Sequence, residues 1–144
     1  MPDRAFWITW YDLPVEARDA YLSWLHGTYL PRVQARPGVL WAAHYASEAN
    51  VVPLGGGKGM VGHYVADGSV PAGDRYILMF GAAKSDAFMN PSPREFNAGL
   101  PEADRKMLAL RIGERVNIMV EEATVYGPEA KSAREDMVPS AGIQ

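Results

Sequence analysis

Cysteine is missing from all 144 residues. That removes disulfides, thiolate nucleophiles and cysteine-ligated metals, so the fold must rest on packing and hydrogen bonds. An excess of either charge is missing too, because 14 Lys and Arg stand against 17 Asp and Glu for a formal net charge of −3. Such a balance points to neither a nucleic-acid nor an anionic-membrane partner. Long apolar runs are also lacking. The N-terminal MPDRAFWITWYDLP holds only a brief one, shorter than the apolar part of a signal peptide or the ~20 residues of a membrane span, and a cytoplasmic protein is the simplest expectation. There is no G-x-S-x-G elbow, no G-x-G-x-x-G after a strand and no basic aromatic surface, which sets aside hydrolase, dinucleotide-dependent and RNA-binding readings. The chain has only 3 histidines. His26, His44 and His63 lack the i,i+4 or H-x-H spacing of a ligand set, so neither a metal nor another cofactor is expected.

What is present is a chain that is 48% hydrophobic, long enough for one core that buries ~68–70% of the unfolded surface. Its organising stretch is Tyr21 to Tyr45, YLSWLHGTYLPRVQARPGVLWAAHY. Before it, residues 5–11 (AFWITWY) are short, aromatic and β-branched, which predicts a buried first strand. Pro14 and Glu16 then mark a helix start. At about 100° per residue Val15, Leu22, Leu25, Tyr29 and Val33 share one face of that helix, with His26 inside the cluster. Gly27 and Pro31 weaken or kink its last turns. A Pro37-Gly38 turn leads to a second strand at 39–47, where Leu40, Ala42, His44 and Ala46 share one face and Val39, Trp41, Ala43, Tyr45 and Ser47 the other. Periodicity alone leaves open which face meets the helices.

Residues 48–74 form an inserted glycine-rich loop. Its Gly55-Gly56-Gly57-Lys58-Gly59 run is not a phosphate loop, which would require a glycine at Val52 and Ser or Thr at Gly59. Residues 60–66 (MVGHYVA) can add a short strand carrying His63 and Tyr64 over a pocket, or a solvated hairpin. A third strand is expected at 76–83, a helical turn after Ser85 and Asp86, and a short helix at 94–98. A second main helix then runs from Pro101 to about residue 115, and a fourth strand at 116–126 puts Glu121 and Glu122 on opposite faces. Residues 1–127 thus read as one domain, and 128–144 as a flexible or exchange-contact tail.

The βαββαβ order predicts an α+β fold, a ferredoxin-like layer of two helices on a four-stranded antiparallel sheet. One helical layer leaves the second sheet face uncovered, and dimerisation through it is the economical remedy. The strings WLHGTYLP and PGVLWAAHY, with the later Pro93-Arg94-Glu95-Phe96 segment, resemble the dimeric α/β-barrel superfamily, particularly its EthD-like branch. The resemblance covers residues 5–126 in outline, while the 48–74 insertion is longer than that branch needs. It implies a homodimer closing an α/β barrel, in a superfamily of cofactor-free monooxygenases, polyketide cyclases, muconolactone isomerase and haem-degrading enzymes. Shared fold does not choose among these.

Histidine is the usual acid–base group near neutral pH. His26 beside the helix break is therefore a candidate proton carrier, with Tyr29 and His44 assisting at a carbonyl or enolate. Trp7, Trp10, Trp41, Tyr45, His63 and Tyr64 are candidate contacts for an aromatic ligand, against the plainer reading that large aromatics fill cores. Two functions stay open. One is a small cofactor-independent enzyme (a cyclase, isomerase, decarboxylase or monooxygenase type) moving a proton on a hydrophobic aromatic or polyketide-like molecule. The other is a non-catalytic dimeric small-molecule-binding or stress-response accessory module.

Overall fold

The computed structural model describes residues 4–48 and 73–130. Strands β1 (Ala5–Asp12), β2 (Val39–Ala46), β3 (Tyr76–Ala82) and β4 (Ile112–Val120) form one sheet in the order β2-β3-β1-β4, each neighbouring pair antiparallel. The first crossover is helical throughout: a 3₁₀ turn (Val15–Ala17), α1 (Arg18–Trp24), a π-helical turn (Leu25–Tyr29) and α2 (Leu30–Gln34). The second crossover holds a 3₁₀ turn (Ser85–Phe88), α3 (Pro93–Ala98) and α4 (Glu102–Leu108). This is the ferredoxin-like βαββαβ arrangement. The inserted loop with His63 and Tyr64, and the last part of the tail, lie outside the described residues.

Pairing assigns the two faces of the sheet. Trp7 stands opposite Phe80 and Ile118, and Phe80 opposite Ala42; Thr9 stands opposite Leu78 and Val116, and Leu78 opposite His44. Trp7 packs edge-on against Phe88 and Phe96, and Tyr29 against Phe80, so this face meets the helices. His44 is therefore on the helix side. A bulge at Leu40 places Val39 opposite Ala82 and Trp41 opposite Gly81. The extra residue puts Val39 on the same face as Ala42 and His44, against the strict alternation expected from the sequence. The opposite face carries Phe6, Ile8, Trp10, Trp41, Ile77 and Met79, and no helix of the described residues covers it. Gly81 sits beneath the Trp41 indole on that face, where a Cβ would drive into the ring.

Two expected elements differ. The first helix buries Tyr21, Leu25, Tyr29 and Val33, whereas Val15 is 62% exposed and His26 is exposed. Four-residue steps drift by about 40° each on a uniform α-helix, but the wider π-turn takes that drift back and keeps all four on the core side. Leu30 N–H bonds to Leu25 O, five residues earlier. The widening accommodates Pro31, which has no N–H to give the preceding turn and whose ring crowds it. A wheel of constant pitch therefore misplaced His26, which belongs on the rim rather than inside the buried cluster.

The second main helix ends at Leu108, and the last strand starts at Ile112 rather than at 116 and stops at Val120 rather than at 126. β1 decides both limits: Asp12 pairs with Ile112, and Ala5 pairs with Val120. Among the described residues the strand finds no partner to run along beyond Val120, apart from a last bond from Glu121 N–H to Arg4 O of 2.7 Å. Glu121 instead pairs with the Arg4 side chain, Nε to Oε1 at 2.6 Å. Gly113, with φ +66°, lies inside the strand at the bulge where Asp12 pairs with Ile112 and Trp10 with Arg115.

Candidate functional site

The helix-facing side of β1, β2 and β3 gathers Tyr11, His44 and Tyr76 at one end of the sheet. The His44 imidazole stacks on Tyr76, with centroids 5.3 Å apart and planes at 15°, and its Nε2 lies 2.6 Å from the Tyr11 hydroxyl. Tyr21 of α1 packs on Tyr11 at 5.7 Å. His26, carried by the π-turn, meets His44 edge-on with ring centroids 6.1 Å apart. The π-turn thus sets the two histidines side by side at the solvent boundary, His44 half-buried and His26 exposed. Inserted single turns of this kind recur at functional sites.

Arg111 enters the cluster from the α4–β4 connection. Its guanidinium lies 4.8 Å from the Tyr11 ring, 5.4 Å from Tyr29 and 5.9 Å from Tyr21. Nε donates to the Tyr21 hydroxyl at 2.9 Å, and Nη1 donates to Glu114 Oε2 at 2.9 Å. A phenol has one proton to donate, and a neutral imidazole has one donor and one acceptor nitrogen. With the Tyr11 O–H as donor, Nε2 of His44 accepts and Nδ1 carries the imidazole proton.

Burial explains why this state persists. It pushes the Tyr11 phenol well above the usual range and raises the Tyr21 phenol as well, so both keep their protons. Tyr29 is pushed up to about 12, again chiefly by burial. Burial, with His26 and Arg111 nearby, lowers His44 to about 4, so its imidazole is neutral at physiological pH. The Arg111 charge is held firmly despite its burial, by the surrounding phenols and Glu114. A neutral imidazole with one ring nitrogen engaged by a phenol keeps the other for a ligand, and with its pKa lowered it is a poor base.

The expected site residues divide among three places. His26 and His44 come together. Tyr29 is 1% exposed and donates its hydroxyl to Asn97 Oδ1 at 2.7 Å; it touches the cluster through Arg111 rather than presenting a phenol to a ligand. Trp7 is buried under α3, between Phe80 and Phe96. Trp10, Trp41 and Tyr45 lie on the opposite sheet face, Trp10 beneath Arg115. These four are therefore not part of one pocket with the histidines, because strand alternation and the helical layer separate them. Sequence reading missed Tyr11, Tyr21, Tyr76, Arg111 and Glu114. The AFWITWY strand offered Tyr11, but Arg111 fell in a run read as helix, where an arginine is ordinarily solvated. Among the described residues no three His, Asp or Glu side chains converge as metal ligands.

Fold and site together define a ferredoxin-like α+β protein with a histidine pair set against a buried tyrosine–arginine cluster. No family model matches the chain, and no curated protein matches it. Among solved structures, it is similar to a monooxygenase from the gene ActVA-Orf6 of Streptomyces coelicolor, crystallised in complex with Nanaomycin D, at 15% identity and a TM-score of 0.46, over 88% of this chain and 92% of that one. The fold assignment rests on the strand order, register and helix placement of this chain itself. No helix among the described residues is long and apolar enough to cross a membrane.

Proposed function

We propose that the chain is a small cofactor-independent enzyme that moves a proton on a hydrophobic, aromatic or polyketide-like ligand, and that two copies pair through the open sheet face as the EthD-like resemblance implies. His26, at the solvent boundary, is the proton carrier. His44 presents Nδ1–H to the ligand carbonyl and stabilises the enolate that forms, while Tyr11 holds its tautomer. The observation that carries this reading is the 2.6 Å Tyr11–His44 hydrogen bond beside His26: with Nε2 of His44 engaged by Tyr11, its Nδ1 is left for a ligand next to a second imidazole on the same rim. Division of labour between an acid and a base is the arrangement enolisation requires.

Benzoylacetone, an aromatic 1,3-diketone with an acidic methylene, tests the step directly by solvent-deuterium exchange read by NMR. Wild type accelerates exchange over buffer, His26→Ala lowers the rate by ~10²–10⁴-fold, and His44→Gln lowers it by ~10²-fold or more. Circular dichroism remains unchanged in both. Binding without any acceleration would refute the enzyme and leave the second reading, a non-catalytic dimeric binding module. The mutual satisfaction of Tyr11 and His44 favours that module, since a hydrogen-bonded pair needs no ligand to be stable.

A further inference from the structure

Arg111 has more donors than the described residues can use. Its side chain is 1% exposed, Nε is taken by Tyr21 and Nη1 by Glu114, and the buried Nη2 has no hydrogen-bond partner among the described residues. The rings of Tyr11, Tyr21 and Tyr29 lie around the guanidinium at 4.8–5.9 Å. They offer π-faces to the cation, but the Nη2 hydrogens lie in the guanidinium plane and require an oxygen acceptor. Buried donors are almost always satisfied, so an orphan beside a candidate site points to an absent partner. Glu114, among the described residues the one carboxylate paired with Arg111, is 36% exposed and leaves the buried charge only partly compensated. Arg36 also has an unpartnered Nη1, yet its Nη2 already serves the carbonyls of Ala87 and Pro91 as a structural tie.

We propose that Arg111 is the specificity-determining residue of this site: Nη2 pairs with an ionised oxygen of the ligand, so the site selects acidic aromatics bound as their conjugate bases, enolates and phenolates, over neutral analogues of the same shape. The inference rests on the ligand site assigned above, but not on turnover there. Recognition of the enolate by a fixed cation also aids its formation, because the charge the cation meets is absent from the neutral ketone. The titratable groups around the guanidinium are Tyr11, Tyr21, Tyr29 and Glu114; His44, which feels its charge and is flanked by His26 and Tyr76, responds most directly. An anion beside Arg111 offsets part of the positive potential that disfavours the imidazolium, so occupancy raises the pH at which His44 titrates.

The test uses the full chain and two probes of nearly equal shape, 2-hydroxy-1,4-naphthoquinone, which is ionised at neutral pH, and its methyl ether, which is not. Wild type binds the enolate at least ~10-fold tighter by calorimetry, which corresponds to ~1.4 kcal/mol. Arg111→Gln reduces that ratio to near one, and Arg111→Lys, which keeps the charge without the planar fork, retains part of it. Because Arg111→Gln can fail to fold, a second measurement is made on wild type: the enolate, and not the ether, shifts the Arg111 Nε–H resonance and raises the His44 titration. Equal affinities, failure of both probes to bind, or an unmoved Arg111 resonance would overturn the proposal, leaving a buried water as the only partner of Nη2. Deuterium exchange that depends on His26 with no enolate preference would leave the enzyme reading standing and remove only this inference. An enolate preference without exchange would do the reverse.

Discussion

Acid should weaken this fold through one imidazole. In the unfolded chain His44 binds its proton near 6.5, and in the folded chain near 4, because burial, His26 and Arg111 disfavour the charged ring. Between those values the unfolded state holds more protons than the folded one, so stability is full above about pH 6.5 and falls as pH drops toward about 4. The gap converts, at about 1.4 kcal/mol per pH unit, to a ceiling of about 3.4 kcal/mol. The ring is half-buried and partly screened by water, so about 2 kcal/mol is the expected loss. For a domain of this size that lowers Tm by about 4–8 °C. Urea unfolding from about pH 7.5 to about pH 4.5, run on wild type and His44→Gln, isolates the effect, since the carboxylates and the other histidines titrate in both. Glutamine keeps an acceptor near Tyr11 but cannot be protonated, so its curve should stay about 2 kcal/mol flatter over the window. Parallel curves would refute the reasoning, and so would an NMR titration of His44 at or above 6.5.

Three further outcomes follow from packing. Gly81→Ala should lower stability by about 1–3 kcal/mol in urea unfolding, because the new Cβ meets the Trp41 indole, and Trp41→Ala in the same chain should remove most of that penalty. Asp104 accepts from Trp24 Nε1 and Arg32 Nη1, both at 2.9 Å, so Asp104→Ala should destabilise by about 1–3 kcal/mol with an unchanged denaturant slope. Met79→Arg, in the middle of the open face, should convert a dimer to a monomer in light scattering while circular dichroism stays native. A wild-type monomer at the same concentration would remove the pairing proposed for that face.

The sequence by itself determined the order of elements and the fold class. Aromatic and β-branched runs, the Pro37-Gly38 turn and the prolines at helix starts are local signals, and local sterics settle them. It also marked the break after His26, because Gly27 and Pro31 are visible in any reading of the chain. The geometry of that break belongs to tertiary structure: whether a proline kinks a helix or widens it into a π-turn depends on the core that Tyr21, Leu25, Tyr29 and Val33 must reach together. The limits of β4 were invisible for a similar reason, since a strand ends where its partner ends, and β1 lies more than a hundred residues earlier. Sheet faces were undecided because a period of two does not say which side the helices cover, and the Leu40 bulge then moves Val39 to the side of Ala42 and His44. The site shows the same division. Two histidines were legible as residue types with acid–base chemistry, but the phenols and the guanidinium that set the state of His44 come from β1, α1, β3 and the α4–β4 connection. Only folding brings them within hydrogen-bond distance, and only burial gives them their protonation states.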